Sequence, residues 1–160
     1  ERVEGYGVQI MKGYNFDPED VMWIFSHTGI NNVNIDIALE AKKRGMKVIA
    51  YGSAEQAKGK TTRHSCGKTI FDIADLVVDS CAPAGDASVP LKFNQDPVGP
   101  VSTMAFITCV WMTVCTVAEI LDSRGVKLYI HPSHNVPGDT TAPERLAACL
   151  AEYKRRVAGV

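Results

Sequence analysis

Several features that mark common protein classes are missing from this sequence. No long run of like charge occurs among its 17 basic and 18 acidic residues, and the formal net charge is -1, so neither nucleic acid nor an anionic membrane is expected as a partner. The five cysteines form an odd set without a CxxC pair, which favours reduced thiols and a cytoplasmic location. No basic and then apolar leader opens the chain, so secretion is not expected. A Gly-x-Gly-x-x-Gly turn and a Walker loop are also missing, and no cofactor is expected.

The composition that is present fits one globular domain. Hydrophobic residues make up 46% of the 160 residues and charged residues 22%, which suffices to bury a core without disulfides or metals. We therefore expect residues 1–160 to form a single domain. The opening residues Glu1–Tyr6 resemble the middle of a helix, as is expected of a fragment.

One uncharged segment, from Val98 to Ala118, is long enough to cross a bilayer. It carries five Ser and Thr residues and has no flanking Lys/Arg cluster or aromatic belt. We therefore expect a buried helix from about Val101 to Ser123 and no membrane partner. Its large apolar side chains are expected in the core or in a subunit interface: Met104, Phe106, Trp111 and Met112.

The first half of the chain alternates between apolar runs and a helical pattern. Val21–Phe25 and Lys47–Tyr51 are typical of strands buried on both faces of a parallel sheet. Asn32–Arg44 lies between them with apolar residues at helical spacing, which matches one right-handed βαβ unit. Asp75–Asp79 adds a third strand. The predicted fold class is α/β, a doubly wound, flavodoxin-like parallel sheet with helices on both faces in three α/β/α layers.

Weaker patterns predict the remaining elements. A helix is expected from Val3 to Tyr14, although three glycines weaken it. Ser80–Pro100 reads as a long irregular loop of the kind that is usually functional. Lys127–Ile130 is a candidate last strand, and Ala142–Val157 is expected as an amphipathic helix.

Polar residues follow the first two strands at the points where those strands end. Ligands of parallel α/β sheets bind beyond the carboxyl ends of the strands, where helices begin with unpaired N–H groups. The first turn runs Ser26-His27-Thr28-Gly29-Ile30-Asn31, and Ser53 follows the second strand at an equivalent height. Hydroxyls, a glycine and a helix start predict an anion cradle. The alternative is that Ser26 and Asn31 only cap the helix.

Several motifs resemble the sugar isomerase (SIS) family. Ser26-x-Thr28-Gly29-x-Asn31 is similar to the Ser-x-Ser-Gly-x-Thr phosphate loop of SIS domains. Further motifs resemble a little-characterised bacterial SIS branch, whose members are often labelled phosphoheptose isomerase or sugar isomerase domain-containing protein. They follow one another over nearly the whole chain: Glu4-Gly5-Tyr6, Ala41-Lys42-x-x-Gly45-x-x-Val48-Ile49-Ala50, Arg63-His64-Ser65-x-Gly67-Lys68, Gly85-Asp86-Ala87, Gly99-Pro100-x-Ser102-Thr103 and Asn135-Val136-Pro137-Gly138.

The resemblance implies a protein that binds a phosphorylated sugar, isomerises it between aldose and ketose forms and acts as a homodimer. A non-catalytic sugar-phosphate sensor is the alternative, and a degenerate structural partner is a third. The chain departs from the branch at Gly52 and Val101, which stand where a hydroxyl-bearing residue is usual. The family's earlier strand and Gly-rich turn have no counterpart before Glu1, so the resemblance implies a SIS domain without its N-terminal strand and helix. The residues expected to bind the sugar phosphate are Ser26, Thr28, Gly29, Asn31, Ser53, Ser102 and Thr103.

An isomerase also needs a group that moves a proton between adjacent carbons. His64, in the polar connection after the second strand, is the first candidate because imidazole in general titrates near neutral pH. Glu55, close to Ser53 in sequence, is the second candidate. An ordinary loop histidine and a carboxylate in a first helical turn are the respective alternatives. Ser102 and Thr103 open the long helix, where they either address the ligand or cap the helix.

No metal site is expected. His131 and His134 have a His-x-x-His spacing, with His27 as a candidate third ligand, but no carboxylate or Cys completes a recognised pattern. Asp86, in the Gly85-Asp86-Ala87 motif, is expected either to bind sugar hydroxyls or to brace a turn.

Overall fold

The computed structural model describes residues 1–133 and 135–157. The chain divides into two compact units, Glu1–Trp111 and Met112–Val160. The first unit contains all five strands and most of the helices, and the predicted phosphate-binding residues lie within it.

A three-stranded parallel sheet forms the centre of the first unit. Its strands β1 (Val21–Phe25), β2 (Lys47–Gly52) and β3 (Leu76–Asp79) lie in the order β1-β2-β3. The register pairs Ile24 of β1 with Ala50 of β2, and both side chains are buried. The prediction of an α/β fold with a parallel sheet is thus confirmed.

Helices of this unit bury the apolar side chains of the sheet. The helix α1 (Tyr6–Met11) packs against α2 (Asn32–Lys43), and the short helices α3 (Ala54–Ala57) and α4 (Ile70–Ile73) follow β2 along the chain. The α1 helix begins later than the sequence predicted, because Gly5 precedes it in a left-handed conformation with a φ of 86°. The buried core consists of Met11, Ile24, Ile35, Ala38, Ala41, Met46, Val48, Ala50 and Ile70.

The segment predicted as an irregular loop contains a small hairpin. The strand β4 (Ala87–Val89) pairs antiparallel with β5 (Val98–Pro100), forming a sheet separate from the parallel one. Strands of three residues are too short for an alternating pattern to stand out in the sequence. The hairpin leads directly to the long helix α5 (Ser102–Ser123).

The second unit is helical. It contains the end of α5 and the helix α6 (Ala142–Val157), whose bounds match the prediction. The predicted strand at Lys127–Ile130 is wrong, since these residues are irregular. The Tyr129 carbonyl oxygen accepts a hydrogen bond from the Cys149 thiol of α6 at 3.6 Å, so this backbone pairs with a helix side chain.

The predicted burial of α5 is also wrong for the chain on its own. Ser102 is the one buried residue of α5, while Met104, Trp111 and Met112 are 69%, 63% and 66% exposed. The core assignment of these side chains therefore fails, and the interface assignment stays a prediction. Within the described residues, α5 is long and apolar enough to cross a membrane, a criterion that core helices of soluble proteins also meet.

Candidate functional site

The turn after β1 is organised by Ser26. The Ser26 hydroxyl is buried and accepts a hydrogen bond from the Gly29 N–H at 3.1 Å. Gly29 has a φ of 71°, which favours glycine. Asn31 then stands at the N-cap of α2, but its side chain makes no capping hydrogen bond. The turn thus presents Thr28 and Asn31 at the start of α2, and part of the bonding capacity of Ser26 is used within the turn itself.

The ring of Phe71 in α4 covers this turn. A Cβ on Gly29 would overlap the ring, and a Cβ on Gly52 would lie 2.5 Å from Phe71 Cε1 and 2.7 Å from the Ser26 carbonyl oxygen. The Ile70 N–H also donates to the Gly29 carbonyl oxygen at 2.9 Å. The departure from the SIS branch at Gly52 therefore has a steric reason, because Phe71 fills the space that a side chain there would need.

Ser53 is fully buried and supports its own neighbourhood. Its hydroxyl donates to the Ala82 carbonyl oxygen at 2.6 Å and accepts from the Gln56 N–H at 3.0 Å, which makes Ser53 the N-cap of α3. The contact of Ser53 with a phosphate stays a prediction, and it would require these bonds to rearrange.

A cavity of about 210 Å³ lies at the N-terminal end of α2. The Arg2 carbonyl oxygen accepts from the Asn32 side-chain amide at 3.0 Å, which fixes the first residues of the chain there. Thr62 donates to the Ile30 carbonyl oxygen at 3.4 Å, which holds the loop that carries Arg63. Guanidinium groups and helix N-termini both favour phosphate oxygens. The residues that line the cavity are Arg2, Ile30, Asn31, Asn32 and Arg63.

His64 is buried beside α2, and both of its ring nitrogens are engaged. Nε2 lies 3.0 Å from Asp36 Oδ1, and Nδ1 lies 3.1 Å from the backbone nitrogen of Cys66. Because a backbone N–H can only donate, Nδ1 accepts and Nε2 carries the proton that Asp36 accepts. The structure thus brings the predicted acid/base residue next to the loop that enters α2, with neither nitrogen free.

The carboxylates of Asp36 and Glu4 hold the first residues of the chain in position through hydrogen bonds. Asp36 Oδ2 accepts from the N–H groups of Gly5 and Gly7 at 2.7 and 3.1 Å. The Glu4 carboxylate accepts from the hydroxyl and the N–H of Ser65, and these bonds lower the pKa of Glu4. Glu4 and Ser65 are about 60 residues apart in the sequence, so two distant segments of the chain meet beside α2.

Asp86 occupies the N-terminus of α5. Its Oδ1 accepts from the N–H groups of Val101 and Ser102 at 2.9 and 2.6 Å, and its Oδ2 accepts from the Ser102 hydroxyl at 2.9 Å. Burial on its own raises the pKa of Asp86, but the bonds from Ser102 and Val101, together with nearby His27, lower it overall. Asp86 thus braces the start of α5 and accepts hydrogen bonds from both the N–H and the hydroxyl of Ser102. Thr103 is exposed.

The other residues considered from the sequence lie apart from this cavity or outside the described residues. Glu55 is exposed in the first turn of α3. His134, the second residue of the His-x-x-His spacing, lies outside the described residues. No group of three or more His, Cys, Asp or Glu side chains that could hold a metal ion occurs in residues 1–133 and 135–157.

A larger cavity of about 430 Å³ opens at the carboxyl ends of β2 and β3. Phe71 and Val77 line it, together with Lys58, Lys60 and the carboxylate of Asp79. That carboxylate accepts from backbone N–H groups at 3.0 and 3.1 Å. The polar lining of the larger cavity thus carries both charges, whereas the charged residues that line the smaller cavity are the two arginines.

Arg2, Arg63 and Asp36 are the site residues that sequence reasoning missed. The sequence did contain a signal that Arg63 belongs to a site, since Arg63 directly precedes His64 within a motif that resembles the SIS branch. Arg2 had none, because its position depends on the contact with Asn32. Asp36 lies inside the α2 pattern, and its role depends on the segments that pack against the helix.

Comparison with known proteins agrees with the motifs. Residues 1–53 match the family model of the SIS domain. The chain is 36% identical over 157 residues to a UPF0309 protein of Shouchella clausii, which covers 98% of this chain and 63% of that protein. It is 36% identical over 138 residues to a UPF0309 protein of Oceanobacillus iheyensis, and this match covers 86% of this chain and 56% of that protein. A UPF0309 protein of Thermoanaerobacter pseudethanolicus is 33% identical over 159 residues, with 98% and 63% covered.

The chain thus spans less than two thirds of the length of these relatives. The predicted resemblance to a little-characterised SIS branch is confirmed.

Proposed function

We propose, from its relationship to the SIS domain and the UPF0309 proteins, that this protein binds a phosphorylated sugar with the phosphate at the start of α2. The observation that carries the proposal is the cavity between Arg2 and Arg63 at the N-terminal end of this 12-residue helix. The turn that leads into the cavity contains Thr28 and Gly29 of the predicted phosphate loop.

The charges around the cavity favour a dianion over a neutral sugar. A hydrogen bond to a charged group contributes about 1.5–3 kcal/mol, and two arginines flank the cavity. Removing the Arg63 side chain should therefore weaken phosphate binding about tenfold or more, since 1.4 kcal/mol corresponds to a factor of ten. The sugar then extends from the turn after β1 towards the carboxyl edge of the sheet, where α/β proteins bind their ligands.

Binding is tested by thermal stabilisation of the parent protein with hexose and heptose phosphates. A ligand at about 100 times its dissociation constant stabilises the folded state by about 2.7 kcal/mol. The unphosphorylated sugars are the matched controls, and they should give no shift. Equal shifts with and without the phosphate would reject a phosphate site.

We further propose aldose–ketose isomerisation, the reaction class that the SIS resemblance implies. The reaction requires a group that takes a proton from one carbon and returns it to the neighbouring carbon. His64 is the predicted group, and Asp36 would orient its imidazole through the 3.0 Å contact. Exchange of the C2 proton of an aldose phosphate in deuterated water measures the step directly, and His64→Gln should slow it about 10²–10⁴-fold.

One observation favours binding without turnover as the second candidate. Both nitrogens of His64 are already hydrogen-bonded, to Asp36 and to Cys66, so the residue has the contacts of a structural histidine. In that case sugar phosphates stabilise the protein but the C2 protons of the aldose phosphates do not exchange. Exchange in the parent protein that His64→Gln removes would instead favour the enzyme.

The finer arrangement of the protein is proposed on the same basis. We propose a doubly wound, three-layer α/β/α fold, supported by a three-stranded parallel sheet that α2 contacts and by the ring of Phe106 in α5, which lies against Phe25 of β1. We also propose a homodimer in the cytoplasm, without a nucleic acid or membrane partner, which the composition and the SIS resemblance support.

A further inference from the structure

The turn after β1 carries a half-buried histidine whose ring nitrogens have no hydrogen-bond partner within the described residues. Both ring nitrogens of His27 are closed off from solvent, and neither reaches a donor or an acceptor. His64, by contrast, has both nitrogens bonded. Burying a polar group without a partner costs stability, and such a group in a folded protein needs a specific explanation.

The backbone of His27 is held in place although its ring is not. Its carbonyl oxygen accepts from the Ser53 N–H at 3.2 Å, and the neighbouring Ser26 N–H donates to the Tyr51 carbonyl oxygen at 3.0 Å. These bonds tie the turn to β2 and to the residue after it. The imidazole is thus carried on a fixed part of the fold, as expected of a group that is positioned for a ligand.

Asp86 makes no hydrogen bond to the His27 imidazole. Its carboxylate already accepts three hydrogen bonds from Val101 and Ser102 at the start of α5. His27 lies near enough to contribute to the lowered pKa of Asp86, so the two side chains lie in the same region. This region belongs to the same unit as the turn that carries Thr28 and Gly29.

We propose that His27 binds the sugar part of the ligand directly, through a hydrogen bond between one ring nitrogen and a hydroxyl or carbonyl oxygen of the sugar. The proposal rests on the proposed phosphosugar function and adds a residue that recognises the sugar part of the ligand. A sugar hydroxyl both donates and accepts, so it can pair with an imidazole in either tautomer. Because the nitrogens are closed off in the free chain, the contact forms together with a local movement of the surrounding loops.

His27→Leu tests the proposal, because leucine fills the buried space without polar atoms. Removing unpartnered nitrogens should leave the melting temperature of the free protein unchanged or raise it. The affinity for fructose 6-phosphate should fall about two- to tenfold, the effect of one lost neutral hydrogen bond to a ligand. The affinity for inorganic phosphate should stay the same, since phosphate alone would bind at the start of α2. Phe106→Leu is the matched control, and it should change neither affinity.

Each other outcome overturns the proposal. Unchanged affinity for fructose 6-phosphate means that His27 does not touch the sugar. Equal loss for inorganic phosphate and fructose 6-phosphate means that the variant disturbs the turn as a whole. If the parent protein binds neither probe, the proposed function itself fails, and the role of His27 fails with it.

A measurement on the parent protein covers the case in which His27→Leu does not fold. The ring nitrogens of ¹⁵N-labelled histidine report hydrogen bonding in NMR spectra. Fructose 6-phosphate should shift the His27 resonances, whereas inorganic phosphate should not. His27 resonances that stay in place with saturating fructose 6-phosphate contradict the proposal.

Discussion

The ring of Phe71 lies against Gly29, so that a side chain on Gly29 would overlap it. Gly29→Ala should therefore lose about 1–2 kcal/mol from its left-handed backbone and about 1–3 kcal/mol more from overpacking. Gly59 is the matched control, because its φ of 68° is similar and no atom lies near its missing Cβ. Urea denaturation of both variants gives the difference. Equal losses for Gly29→Ala and Gly59→Ala would show that Phe71 moves aside freely.

Asp86 should make the stability of α5 depend on pH. Its folded pKa lies below the ordinary value of about 3.9, so its contribution is present above that value and is lost as the pH falls through the folded pKa. At neutral pH, Asp86→Asn should cost about 0.5–2 kcal/mol, as the loss of a helix cap does.

The difference between the parent and Asp86→Asn should shrink as the pH falls below about 4, where the unfolded chain takes up the proton, and should be lost once the pH lies below the lowered pKa of the folded Asp86. Asp96→Asn, on the exposed part of the same segment, is the control and should have no effect. A difference that stays constant from pH 7 to acid would contradict a charged cap.

Much of the secondary structure of the first unit was predictable from the sequence, because each helix and strand depends on the residues within it. The bounds of α2 and β2 follow from helical spacing, a continuous apolar run and Gly45 between them, and the structure places them within a residue or two of the prediction. The exposure of α5 was not predictable, since burial depends on what packs against a helix. The roles of Arg2 and Asp36 depend on contacts between segments that are about 30 residues apart, such as the bond from Gly7 to Asp36, and no spacing rule encodes these.

Asp36 should matter for both stability and binding. Asp36→Ala leaves the buried N–H groups of Gly5 and Gly7 without an acceptor and removes the partner of His64. Each unsatisfied buried group costs about 1–3 kcal/mol, so thermal unfolding should occur at a clearly lower temperature.

Affinity for sugar phosphates should fall as well, because the same contacts hold the segments of Arg2 and Arg63. Glu19→Ala, an exposed acidic residue in the turn before β1, is the control and should change neither property. Normal affinity in a destabilised Asp36→Ala protein would contradict this prediction, because it would show that the hydrogen bonds of Asp36 are not needed for binding.

The exposed face of α5 should be covered by a second copy of the chain. Met104, Ile107 and Trp111 lie on one side of the helix and are 69%, 50% and 63% exposed. Light scattering should give about twice the chain mass of 17.4 kDa, and Ile107→Glu should give the mass of one chain. A parent protein that is monomeric at micromolar concentration, or that sediments with lipid vesicles, would contradict this interface.

The central claim is that the phosphate of a sugar phosphate binds between Arg2 and Arg63 at the start of α2. Titration calorimetry with fructose 6-phosphate tests it most directly, using the parent, Arg63→Ala and Lys58→Ala, whose side chain lines the larger cavity. The account predicts that Arg63→Ala weakens binding about tenfold or more and that Lys58→Ala has no effect. Full affinity in Arg63→Ala together with a loss in Lys58→Ala would contradict it and place the phosphate in the other cavity.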